Sequence, residues 1–184
     1  MSMKTIIFTG QPNTGKTRVL FEISHWLVRD KGYAIIDGQL FPDKFVVNEN
    51  ENDVRVLLGK EGRKVLVVSA TDDENCIDIL KNMIEKSDLR ENDILLTSCR
   101  RYDDSGKLRQ KFSEKLGFDL KQVNNTYSGR EVPGGNISDT NGSTILEIPL
   151  VKLRYENSDE VTEWYNMKIV ELSKWVLENP TCCI

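Results

Sequence analysis

Residues 10 to 17 read Gly10-Gln11-Pro12-Asn13-Thr14-Gly15-Lys16-Thr17, directly after the apolar run Ile6-Ile7-Phe8. Two glycines, a lysine and a hydroxyl at this spacing suit one chemistry, the cradling of a phosphate chain at the start of a helix. Gly10 and Gly15 tolerate positive φ and carry no side chain to block close approach. Pro12 has no N–H, so the loop around Asn13 must offer its inward amides from Thr14, Gly15, Lys16 and Thr17. Lys16 supplies a point charge for β- and γ-phosphate oxygens, and the Thr17 hydroxyl suits Mg²⁺. A chance match to four fixed positions in a chain of this size is on the order of one per cent. The requirement for a strand before it and a helix after it lowers that further.

At each of its defining positions this segment resembles the Walker A loop of the P-loop NTPase superfamily. The resemblance implies a nucleoside triphosphate, ATP or another, with Mg²⁺. It also implies a second acid at the end of a neighbouring buried strand. Here the run Val65-Leu66-Val67-Val68 ends in Ser69, with Asp72 three residues on. A hydroxyl at that position resembles gluconate-kinase-like enzymes. Asp72 then has two readings, a carboxylate that approaches the metal through water or a member of the helix start Thr71-Asp72-Asp73-Glu74. In the latter, Thr71 caps the helix and Glu74 reaches back. The stretch from Asp53 through Ser69 and Asp72 to Arg100 also resembles a group of small bacterial and phage P-loop proteins, a likeness that implies ATP binding and names no acceptor.

Two further side chains fall at ends of expected strands. Asp37, beside Gly38, resembles the acid that orients or deprotonates the acceptor hydroxyl in kinases of similar layout; the other reading is a turn-forming Asp-Gly pair. Arg100, followed by Arg101, suits neutralisation of charge on a transferring phosphoryl group. Lys107, Arg109 and Lys111 read as a solvated helix face. Arg130 suits a lid arginine.

These groups need a scaffold, and the apolar pattern supplies one. The expected strands are 4–9, 33–37, 65–68, 94–98 and 144–153, with 120–123 competing for the last position. Helices are expected over 16–30, 74–86, 105–116 and 159–178. A stretch at 40–62 reads as a β-hairpin excursion, in which 45–47 and 54–58 flank polar residues 48–53. Residues 124–143, rich in Asn, Gly, Ser and Thr, read as a polar loop or lid. The alternation predicts one α/β domain over 1–184, a three-layer α/β/α P-loop fold with a mostly parallel central sheet. His25 is expected to be a partly exposed polar residue of the first helix, and the tryptophans of the last helix to pack in the core.

The 184 residues are 39% hydrophobic and 29% charged, a globular balance, and the net charge of −4 argues against a dedicated nucleic-acid binder. No apolar run reaches the ~20 residues of a membrane helix. Four cysteines without metal-ligand spacing and one histidine argue against structural zinc and suit reduced thiols in a cytoplasm. The missing Asn-Lys-x-Asp motif argues against a regulatory GTPase, and the length against a RecA-like motor. The sequence therefore points to a Mg²⁺-dependent ATP-using phosphotransferase with a small-molecule acceptor. The alternative is a nucleotide-gated module, hydrolysing slowly, that serves a protein partner.

Overall fold

The computed structural model describes residues 4–10, 16–40, 53–69, 71, 73–100, 107–117, 130–132, 135–140 and 143–147. In chain order these form β1 (Lys4–Gly10), α1 (Lys16–Arg29), β2 (Ala34–Gln39), β3 (Arg55–Lys60), β4 (Arg63–Val68), α2 (Glu74–Ser87), β5 (Ile94–Arg100), α3 (Lys107–Leu116), β6 (Arg130–Val132), β7 (Gly135–Thr140) and β8 (Ser143–Glu147). The eight strands make one sheet in the order β2-β3-β4-β5-β1-β8-β7-β6. The expected helix at 159–178, the strand at 120–123 and the segment 45–47 lie outside the described residues.

The central strands are apolar at successive positions because both faces are covered. Period-two alternation sends Ile6, Phe8, Val65 and Val67 to one side, where they meet Val19, Leu20, Ile23 and Leu27 of α1. Ile7, Leu66, Val68 and Leu95 face the other side and meet Ile77 and Leu80 of α2 and Phe112 of α3. Ile6, Ile7 and Phe8 are fully buried, so β1 runs through the middle of the core.

The expectation of a mostly parallel three-layer P-loop fold is corrected by the strand directions. β1 pairs in parallel with β5 and β8, and β4 with β5. The other four pairings, β2 with β3, β3 with β4, β6 with β7 and β7 with β8, are antiparallel, so the sheet is mixed. Connection length is the physical reason. A parallel return needs a crossover of about a dozen residues, whereas two residues can only reverse the chain. Glu61 and Gly62 alone join β3 to β4, with φ of 51° and 79°, a left-handed pair suited to a two-residue hairpin turn. Residues 54–58 thus belong to the main sheet instead of an excursion. The expected polar lid at 124–143 likewise contributes β6 and β7 to the sheet.

Local signals explain most helix ends. α1 ends before Gly32, whose φ of +70° suits a left-handed stop. The start of α2 departs from the expected capping box. Its N-cap is Asp73, whose carboxylate accepts from the Cys76 N–H at 2.7 Å. That contact holds the Asp73 carboxyl below its usual range. Glu74 instead turns toward α3, where it pairs with Lys111 and with Lys115, the latter at 3.3 Å. Lys111 is therefore part of a helix–helix clamp, beyond the solvated-face reading.

Candidate functional site

Three parallel strands, β4, β5 and β1, deliver their carboxyl ends side by side. The register aligns Gly10 with Arg100 and Thr9 with Cys99, so the loop's first glycine and the candidate arginine occupy neighbouring backbone positions. β8 approaches β1 from its other side and aligns Glu147 with Thr9. Sequence reading did not single out Glu147, because its nearness to the loop depends on which strand neighbours β1.

Five residues separate the end of β1 from the start of α1. All five, the candidates Asn13, Thr14 and Gly15 among them, lie outside the described residues, as does Asp72. Lys16 opens α1 and is 8% exposed; Thr17 beside it is half-buried. No acidic residue of α1 itself stands in the first turn of this 14-residue helix, whose amino end carries the positive pole of the helix dipole. Arg18 follows, buried, with its Nε 4.0 Å from Glu22 Oε1. Burial pushes the Glu22 carboxyl up, and Arg18 pulls against that shift.

The end of β4 is built from hydroxyls. Ser69 Oγ accepts from the Val54 N–H at 2.8 Å, while the Ser69 N–H donates to Val54 O at 2.9 Å. Ser98 Oγ donates to Ser69 O at 2.7 Å, and Thr71 Oγ1 donates to Ser98 O at 2.6 Å. Thr97 Oγ1 adds a bond to Val68 O at 2.9 Å. These side chains satisfy carbonyls where the β4–β5 ladder runs out, which lets the strand ends stay buried. Thr71 therefore serves β5 and does not cap α2.

An acid does reach this position, from another strand. Ser69 Oγ donates to Asp53 Oδ1 at 3.3 Å. Because β3 runs antiparallel to β4, the entry of β3 lies at the carboxyl end of β4. Asp53, sixteen residues earlier, thus places a carboxylate beside position 69, where the sequence itself has none. A strand-by-strand search for an acid after an apolar run misses it, since the acid precedes its strand.

Asp37 is not brought to this end of the sheet. It pairs with Leu57, which aligns through Leu66 and Leu95 with Thr5, well short of Gly10. Four interstrand steps separate β2 from β1. At roughly 4.8 Å per step the lateral gap is about 19 Å. Asp37 sits instead at a register shift of the edge strand, and its Oδ1 accepts from the Gly38 N–H at 2.8 Å. Neither the acceptor-facing role nor a simple turn describes it.

Other candidates resolve plainly. His25 is 6% exposed, with its ring centroid 4.3 Å from that of Phe21, so the expected partial exposure is corrected to core packing. Cys76 and Cys99 are not in disulfides. Burial and the nearby Asp73 push the Cys76 thiol up, away from nucleophilic use. Among the described residues, no group of three or more His, Cys, Asp or Glu side chains could hold a metal ion. Lys16, Thr17 and the acid-free first turn of α1 fit a Mg²⁺–polyphosphate. No described helix is long and apolar enough to cross a membrane. No family model, curated protein or solved structure matches the chain.

Proposed function

We propose that this protein is a Mg²⁺-dependent, ATP-binding phosphotransferase acting on a small molecule. One observation carries the reading. The central strand β1, fully buried at Ile6, Ile7 and Phe8, ends on Gly10, and after five intervening residues α1 begins with Lys16-Thr17 and no acid in its first turn. Residues 11–15, with Asn13, Thr14 and Gly15, would wrap the phosphates through backbone amides. Lys16 would hold β/γ oxygens, and Thr17 would hold the metal. Bound Mg²⁺ would neutralise phosphate charge.

Arg100, aligned with Gly10, would stabilise negative charge as the phosphoryl group leaves. Asp53, fixed against Ser69, takes the place of the absent strand-end acid and orders metal-bound water, with Asp72 as a second candidate. Positioning and electrostatics of this kind are most of what phosphoryl transfer asks of a protein. Asp53→Asn keeps an acceptor for Ser69 but loses the charge. It should weaken Mg²⁺-dependent ATP binding at least tenfold while leaving Mg²⁺-free binding unchanged; equal Mg²⁺ dependence in variant and parent would remove Asp53 from the site.

A second reading is favoured by the position of Asp37, about four strands from the loop. With Asp37 that far from the loop's flanks, the nucleotide could gate a conformation for a protein partner, with slow hydrolysis. ADP release measured across a small-metabolite panel separates the two. Release stimulated by an acceptor supports the phosphotransferase. Nucleotide-dependent complex formation with no stimulating acceptor supports the gated module.

A further inference from the structure

The opposite end of the sheet carries a second basic site, which does not depend on the triphosphate reading. A cavity of about 370 Å³ is lined by Lys31, Tyr33, Lys60, Glu61 and Arg63. It lies where α1 ends, β2 begins and the β3–β4 hairpin turns. Lys60 and Arg63 form the closing pair of that hairpin. The register places this end of β4 away from Ser69 and the carboxyl end of β1.

The cations here are held by neutral groups. Lys60 Nζ donates to Lys31 O at 2.7 Å, and Arg63 Nε donates to Asn92 O at 3.1 Å. Lys31 Nζ lies 4.7 Å from the centroid of the Trp26 ring. Among the described residues, none of the three is salt-bridged to a carboxylate. Three cations against Glu61 leave a surplus of two charges around one concavity. The negative end of α1 offsets about half a charge of that. The contacts also leave donors over. With Nε engaged, the terminal guanidinium nitrogens of Arg63 remain as a fork suited to phosphate or carboxylate. Lys60 keeps two of its three donors. The left-handed Glu61–Gly62 turn fixes the spacing between Lys60 and Arg63.

The geometry points to a binding site for a small phosphate-bearing dianion or polyanion, held by Lys31, Lys60 and Arg63. The cavity volume falls at the lower end of small-molecule sites, which run from about 300 to 1,000 Å³. A compact di- or triphosphate matches it better than a bulky ligand. This would be a second anion site on the same chain, separated from Gly10 by the length of the central strands.

The test titrates inorganic pyrophosphate into the full chain carrying Lys16→Ala, so that the loop does not report. Calorimetry at low ionic strength without Mg²⁺ should show one remaining site. Adding Lys60→Gln and Arg63→Gln should weaken it at least tenfold, with the thermal midpoint nearly unchanged. Arg90→Gln, an exposed arginine 3.6 Å from Asp88 and outside the cavity, should leave it intact. Absence of pyrophosphate binding in the Lys16→Ala chain, or binding indifferent to the Lys60/Arg63 pair, overturns the site. Citrate bound more tightly than pyrophosphate overturns the phosphate assignment.

Discussion

Ser69 illustrates how one residue can tie several neighbours together. Its Oγ accepts from the buried Val54 N–H and donates to Asp53, while its carbonyl accepts from Ser98. Ser69→Ala would leave the Val54 amide without its acceptor. A buried donor stranded in that way costs about 1–3 kcal/mol. Urea unfolding should register that loss, and an unchanged midpoint would show the bond to be dispensable. The same variant should also loosen Asp53, so Mg²⁺-dependent nucleotide affinity should fall with stability. At this scale the sequence was informative about Lys16 and Thr17, whose spacing after an apolar run announces their place. It was uninformative about Asp53, because a carboxylate sixteen residues from its partner leaves no local pattern. Asp37 shows the converse: a suggestive Asp-Gly pair whose real neighbours are set by the edge-strand register.

Among the elements, β2 rests on one glycine. Gly38 has φ of +85°, and a Cβ there would lie 2.2 Å from the Arg55 carbonyl oxygen of β3. The neighbour is backbone and cannot swing aside. Gly38→Ala should therefore cost at least the 1–3 kcal/mol of a strained backbone position. Hydrogen exchange should show β2 amides losing protection first, and full protection of β2 would contradict this account. The α2–α3 clamp responds to pH instead. Hydrogen bonds from Lys111 and Lys115 hold the Glu74 carboxyl below its usual range, and Asp78 with Glu74 pushes the Lys115 amine up. A depressed folded-state carboxyl contributes stability above its unfolded value, about pH 4.3, and loses it as pH falls through the folded value. Glu74→Gln should thus flatten the acid limb of the stability curve below about pH 4.5, and soften the alkaline limb less, because Lys115 keeps Asp78. An identical acid limb in both proteins would exclude the clamp. Helix positions were readable from 3.6-residue spacing, but the clamp was not, since it joins residues 37 positions apart.

For the whole molecule, the division of labour follows strand direction. The parallel strands β1, β4 and β5 bring their carboxyl ends to one rim, which carries the backbone of Gly10 and Arg100, the hydroxyl relay and Asp53. The hairpin between β3 and β4 turns at the other rim and gathers Lys60 and Arg63. Apolar runs at 65–68 and 94–98 identified the buried strands correctly, because a strand covered on both faces has little room for polar side chains. Their neighbours were not legible. Whether β3 runs with or against β4 depends on a two-residue turn whose meaning is steric, and the polar composition of residues 124–143 concealed β6 and β7.

The account turns on anion capture between β1 and α1, and calorimetric titration of Mg²⁺–ATP into the parent chain and Lys16→Ala tests it most directly. The parent should bind one equivalent, and the variant should bind at least tenfold more weakly, a loss of about 1.4 kcal/mol, with an unchanged nucleotide-free melting temperature. Equal affinity in the two proteins, or no binding by the parent, would contradict it.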